Sequence, residues 1–171
     1  MSNTFERLWA KVLVGGAVAF CAVTHGHAQN MQFGGTVSQP NFCSVVVEND
    51  GEIVQNTLAT EMSSEFSGGV SGSVRVFSWW RYNLRATPLG YWLSSPIPSN
   101  AETDFTAFFS GAPVTGGFLG RVSFPRREGS NAYQLPIGPS WTRLTIDLEA
   151  RHQTSGFPAG SYETQVVVTC D

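Results

Sequence analysis

The chain has 171 residues, 42% of them apolar and 13% charged, with a net charge of −3, a composition suited to a globular domain with one core. Thirteen acidic against ten basic side chains argue against a nucleic-acid partner, whose phosphates call for a basic face. Beyond residue 28 no segment is long and apolar enough to cross a bilayer as a helix, which takes ~20 residues.

The first 28 residues read as a signal peptide. Arg7 and Lys11 form a basic start, Val12 to Val23 is uncharged and apolar, and Gly26-His27-Ala28 places small residues before a cut at Gln29. A membrane anchor needs a longer apolar run. A lipoprotein anchored through Cys21 is the other alternative, with bulky Phe20 in place of the small residue such signals carry. The expected mature chain, 29–171, is a single domain of 143 residues. Its eight basic residues are all arginines, against twelve acids, for a net charge of −4. Periplasm, cell surface or extracellular space is the expected location.

From Gln29 onward the pattern is short alternating runs broken by Gly, Pro, Ser and Asn, with no helical period. Phe33, Gly35 and Val37 alternate, Pro40 interrupts, and Cys43, Val45 and Val47 resume. Further strands are expected over 57–62, 72–78, 81–87, 90–94, 104–110, 117–124 and 131–136. Residues Ser67 to Ser73 (SGGVSGS) read as a flexible connection that lacks the lysine and helix of a phosphate-binding loop. Thr142 to His152 is the clearest strand, with Leu144, Ile146, Leu148 and Ala150 on a dry face and charges on the other. After the turn at Phe157-Pro158-Ala159-Gly160, Ser161 to Cys170 aligns Tyr162, Val166, Val168 and Cys170. Many short strands with opposite-face alternation predict an all-β, antiparallel sandwich of about seven to nine strands.

Two cysteines remain past residue 28, Cys43 and Cys170, and an exported protein with one pair is expected to join them as a disulfide holding the first and last strands together. Metal ligation is disfavoured because His152 is the one histidine left and no ligand cluster accompanies it. No catalytic constellation emerges. His152 with Ser155 lacks an orienting third group, and it reads as a surface or strand-end histidine. Asp147 and Glu149 share their face with Arg143 and Arg151, as a solvated strand face does. Arg126-Arg127-Glu128 reads as a loop tip. No cofactor is expected.

Phe33-Gly34-Gly35-Thr36-Val37 followed by Cys43 resembles the first strand of bacterial fimbrial subunits. Pro158-Ala159-Gly160-Ser161-Tyr162 with Val166-Val167-Val168-Thr169 resembles the last strand of the same group, which includes the spore coat U-like secreted proteins and related pilin-like proteins. The two motifs cover some thirty residues, and the middle matches only loosely. The resemblance implies an immunoglobulin-like sandwich with a structural or adhesive role, and other surface or fimbrial proteins as partners. Two features depart from it. Only Gln29 to Gln32 precede Phe33, too short for a segment donated to a neighbouring sheet. Phe77 stands about where a second cysteine is expected, and the partner of Cys43 comes only at 170.

The stretch Phe77 to Arg85 (FSWWRYNLR) carries the strongest recognition signal. Continuing the parity of Val74 and Val76 assigns Trp80, Tyr82, Leu84 and Ala86 to the core, unless a turn within 78–80 breaks it. The opposite set leaves Trp79, Arg81 and Arg85 as a candidate recognition face, extended by Trp92 and Tyr91. The expected function is an exported, non-enzymatic structural or adhesive protein. The alternatives are a small carbohydrate-binding module using exposed tryptophan, with a glycan as ligand, and a hydrolase without a recognisable motif.

Overall fold

The computed structural model describes residues 43–97, 102–114 and 122–171, and the backbone course of 29–35. The leader expected over 1–28 with Cys21, the motif residues Thr36 and Val37, and residues 117–121 of the strand expected over 117–124 lie outside these residues. Among the described residues there are eleven strands: β1 Gln29–Gly35, β2 Cys43–Asn49, β3 Gly51–Gln55, β4 Glu61–Ser63, β5 Gly72–Ser78, β6 Asn83–Pro88, β7 Thr103–Pro113, β8 Phe124–Glu128, β9 Tyr133–Gln134, β10 Ser140–His152 and β11 Thr164–Cys170.

The long strand β10 organises the larger sheet. One edge pairs with the whole of β7, from Thr142↔Pro113 to His152↔Thr103. The other edge pairs first with β5 (Ser140↔Ser78 to Ile146↔Gly72) and then with β4 (Glu149↔Ser63 to Arg151↔Glu61). Beyond these, β2 lies on β5, β3 on β4 and β8 on β7. The smaller sheet runs β11-β6-β9. Both sheets are antiparallel. The exception is β1, which runs parallel to β11 from Met31↔Thr164 to Gly35↔Val168, while its first residues pair with β3 and so join the sheets at one corner.

The inner faces close on each other as in a sandwich. Val74 and Val76 of β5, Ala107 and Phe109 of β7, and Leu144, Ile146, Leu148 and Ala150 of β10 meet Leu84 and Ala86 of β6 and Val166 and Val168 of β11. The alternation in β5, β10 and β11 therefore reads directly onto buried and exposed positions. At the turn into β11, the hydroxyl of fully buried Tyr162 donates to the Pro158 carbonyl at 2.6 Å. A tyrosine bonded back to the main chain a few residues upstream is a known brace of immunoglobulin-like sandwiches.

Several expected strands change. Residues 57–60 form an exposed turn and the strand there shrinks to β4, whereas β3 just before it was not anticipated. The strand expected over 90–94 is a bent segment with one bridge, Ser94↔Glu163. Gly90 adopts φ +74°, a left-handed turn that starts it.

Candidate functional site

Four strand-end residues meet at one end of the sandwich. Cys43, first in β2, pairs with Ser78, last in β5, on the larger sheet. Leu84 of β6 pairs with Cys170, last in β11, on the smaller one. The Cys43–Cys170 disulfide, spanning a sequence separation of 127, joins the sheets on one side of this square. The chain from Ser78 to Leu84 joins them on the other. The disulfide thus does not hold two hydrogen-bonded neighbours; β1 lies beside β11, and Cys43 of β2 reaches Cys170 across the sandwich.

The crossing segment, Trp79 to Tyr82, is braced along its main chain. Gly138 N–H donates to the Trp79 carbonyl at 3.0 Å and Leu135 N–H to the Tyr82 carbonyl at 2.7 Å. Asn83 and Asp171 exchange bonds of 2.8 and 3.1 Å. Beneath the bend, the hydroxyls of buried Ser78 and Ser140 lie 2.9 Å apart. Fixing the backbone here fixes where the two indoles stand.

Trp79 is 47% exposed and Trp80 51%. The assignment of Trp80 to the core is therefore corrected. The chain bends at Trp79 and Trp80 as it leaves one sheet for the other, so parity cannot carry through, although it holds on both flanks at Val74, Val76, Ser78, Leu84 and Ala86. Tyr82 is half-buried against the core and Leu84 fully buried.

Trp92 does not extend this face, because only 5% of it is exposed. Its ring packs edge-on against Phe105 (4.8 Å), Tyr162 (5.0 Å) and Phe157 (5.9 Å). Its indole N–H faces the Thr103 hydroxyl at 3.4 Å. Tyr162 lies two residues before β11 and Cys170 ends it, ~26 Å apart at strand rise, so Trp92 and the disulfide occupy opposite ends of the domain. Tyr91, 44% exposed, is carried away with it.

Arg85 is exposed on β6, where it donates to the Ser130 carbonyl at 2.6 Å and lies 4.0 Å from Asp171. Arg81 is also exposed, and among the described residues it has no ion pair or hydrogen bond. Of the four residues proposed from sequence for recognition, Trp79 and Arg81 remain at the open end. Arg85 is engaged on a strand face and Trp92 is core.

Sequence reasoning missed one ring neighbour of Trp79 and two further apolar side chains in the same region. Phe77 lies 6.5 Å from Trp79, and Trp141 lies 5.0 Å from Phe77 on the outer face of the larger sheet. Ile137, next to the brace at Gly138, is 60% exposed. The pairing Phe77↔Trp141 is followed two residues along by Arg75↔Arg143, whose guanidiniums converge on Glu48. Arg143 donates to that carboxylate at 2.6 and 3.2 Å and Arg75 through Nε at 2.7 Å. The hydrogen bonds from Arg143, joined by those from Arg75, hold Glu48 down to about 2 against a smaller opposing effect of burial.

Two other clusters are structural in character. Arg126, expected in a loop tip, lies in β8 with its guanidinium 3.6 Å from the Phe108 ring centre, and pairs with Glu65 (2.7 Å), Glu149 (3.3 Å) and Asp147 (3.8 Å). Asp147 is buried and accepts from Ser71 at 2.5 Å and Ser64 at 3.2 Å, so the middle of this strand face is an organised network, while Arg143, Thr145 and Arg151 of the same face stay exposed. His152 does stand at a strand end, but its side chain is buried, with Nδ1 accepting the Ser155 and Thr154 N–H groups at 3.2 and 3.4 Å. Among the described residues, no group of three or more His, Cys, Asp or Glu is placed to hold a metal ion. A cleft of about 260 Å³ between Thr87–Gly90 and Phe105–Ala107 offers one carboxylate, Glu128, already bonded to Ser130.

In comparisons with known proteins, no family model, no curated protein and no solved structure matches the chain.

Proposed function

We propose that the protein is an exported, non-enzymatic surface protein, structural or adhesive in role, that makes its contacts through the disulfide-closed end bearing Trp79 and Trp80. One observation carries the reading: two adjacent indoles stand about half exposed on a backbone clamped by a disulfide on one side and main-chain hydrogen bonds on the other. Together they leave roughly 250 Å² of residue surface in water, and tryptophan is a side chain enriched where proteins make contacts. A rigid mounting lowers the entropy lost when a partner settles on them. Disulfides persist in oxidising compartments, which fits the leader read from the first 28 residues.

The pilin-like and spore coat U-like resemblance of the chain ends supports the structural role. The exposed indole pair favours glycan binding as the means of adhesion. The test compares attachment of the purified protein to cell envelopes and to immobilised polysaccharides with that of a Trp79→Ala/Trp80→Ala variant. Loss of attachment supports the reading, and undiminished attachment removes this end from the account.

A further inference from the structure

Resting on the reading of this end as a recognition face, we propose that its ligand is an acidic saccharide, a chain of uronic acid units. A sugar ring would stack on Trp79 or Trp80, with its carboxylate on Arg81. This end carries the exposed Asp171 carboxylate, which lies 4.0 Å from Arg85, and Arg81 without an acidic partner among the described residues, and it is Arg81 that points there. Every other arginine among the described residues already has a partner. Arg75 and Arg143 share Glu48, Arg126 holds Glu65 and Glu149, and Arg151 holds Glu61. Arg85 and Arg127 donate to the carbonyls of Ser130 and Ala132. Arg81 alone is uncommitted, and it follows the two exposed indoles directly in the chain.

A guanidinium presents parallel N–H donors suited to a carboxylate, and an indole presents a flat face suited to the C–H face of a pyranose. A uronic acid carries both counterparts in one unit, with the carboxylate at the rim of the ring that stacks. A neutral sugar would leave Arg81 unmatched. A nucleic acid would require several cations along a track, where this end offers one. An extended peptide adding by its main chain would need free backbone groups. Here the carbonyls of Trp79 and Tyr82 and both main-chain groups of Asn83 are taken, so the crossing segment offers no continuous run of free groups. Binding through side chains alone favours the saccharide.

The experiment titrates the protein with tetragalacturonate and with tetramannuronate, each beside its carboxyl-reduced neutral counterpart. Tryptophan fluorescence and calorimetry report binding at low and moderate salt. The proposal expects at least one uronide to bind roughly tenfold or more tighter than its neutral form, as a charge-assisted pair provides. Arg81→Gln should erase that preference and weaken the salt dependence. Arg81→Lys should restore part of it. Near-UV circular dichroism shows that each variant keeps the fold.

Equal affinity for acidic and neutral forms overturns the uronate assignment. A preference that survives Arg81→Gln overturns the role of Arg81. No binding to either uronide overturns the saccharide class, whereas the attachment of Trp79→Ala/Trp80→Ala to envelopes decides separately whether this end is a recognition face at all. A glutamate-rich peptide that binds through Arg81 where the uronides do not would assign the face to a protein partner and overturn the proposal.

Discussion

Replacing both Cys43 and Cys170 with alanine tests the corner that mounts the two indoles. Both residues are buried, so alanine avoids placing a lone hydroxyl in their stead. The bridge closes a loop with a sequence separation of 127, for which the chain-entropy relation gives about 5 kcal/mol at 25 °C, drawn mainly from the denatured state. A domain of this size has ~5–15 kcal/mol in all, so the variant should be marginal, with Tm lower by roughly 10–20 °C. Urea unfolding followed by circular dichroism measures the difference, and the steeper dependence on urea expected of an unconstrained denatured chain is a second readout. Because Asn83, Ser78 and the Gly138 brace still hold the crossing segment, the folded variant should keep Trp79 and Trp80 exposed but more mobile, read as lower fluorescence anisotropy. A loss below about 1 kcal/mol would instead mean that the bridge does not restrain the denatured chain.

Trp92→Ala should cost about 3–5 kcal/mol, since it empties an edge-packed site between Phe105, Phe157 and Tyr162; chemical denaturation checks this. Tyr162→Phe should cost about 1 kcal/mol through its bond to Pro158. Burial pushes the Tyr162 hydroxyl up to about 12, so its contribution is complete below the usual tyrosine range near 10 and is lost as pH rises towards 12. Phenylalanine should flatten that part of the alkaline stability curve. Glu48 is held down to about 2, so its stabilisation is present above the ordinary carboxylate range and is lost as pH falls from about 4.5 through 2. Its arginine partners are 40–50% exposed, and the coupling is screened to about 1 kcal/mol. Wild type and Glu48→Gln should differ by that amount at pH 6 and converge near pH 2.

Where a strand lies wholly within one sheet, its sequence is readable. Val74 and Val76 of β5, Leu144 to Ala150 of β10 and Val166 and Val168 of β11 alternate in sequence and in burial. The disulfide was legible for a different reason, since two cysteines past residue 28 leave one pairing. Trp80 was not, because parity is a property of a continuous strand and the chain changes sheets at that residue. Trp92 misled because it sits in a bent Gly/Ser/Pro-rich segment that looks like surface, and its burial depends on Phe105, Phe157 and Tyr162 arriving from distant parts of the chain. Arg126 after Pro125 carries turn chemistry, yet proline is tolerated in a strand at the sheet edge, where β8 lies. The half-exposed pair Phe77 and Trp141 follows from a register that no local pattern encodes.

The most direct test of the central claim sets the two kinds of tryptophan against each other, measuring envelope attachment and unfolding free energy on the same samples. The account predicts that Trp79→Ala/Trp80→Ala loses attachment while stability stays within about 1 kcal/mol, because both side chains are half in water. It predicts that Trp92→Phe, still folded, loses stability and keeps attachment. The reverse pattern, with attachment following Trp92 and stability following Trp79 and Trp80, would contradict it.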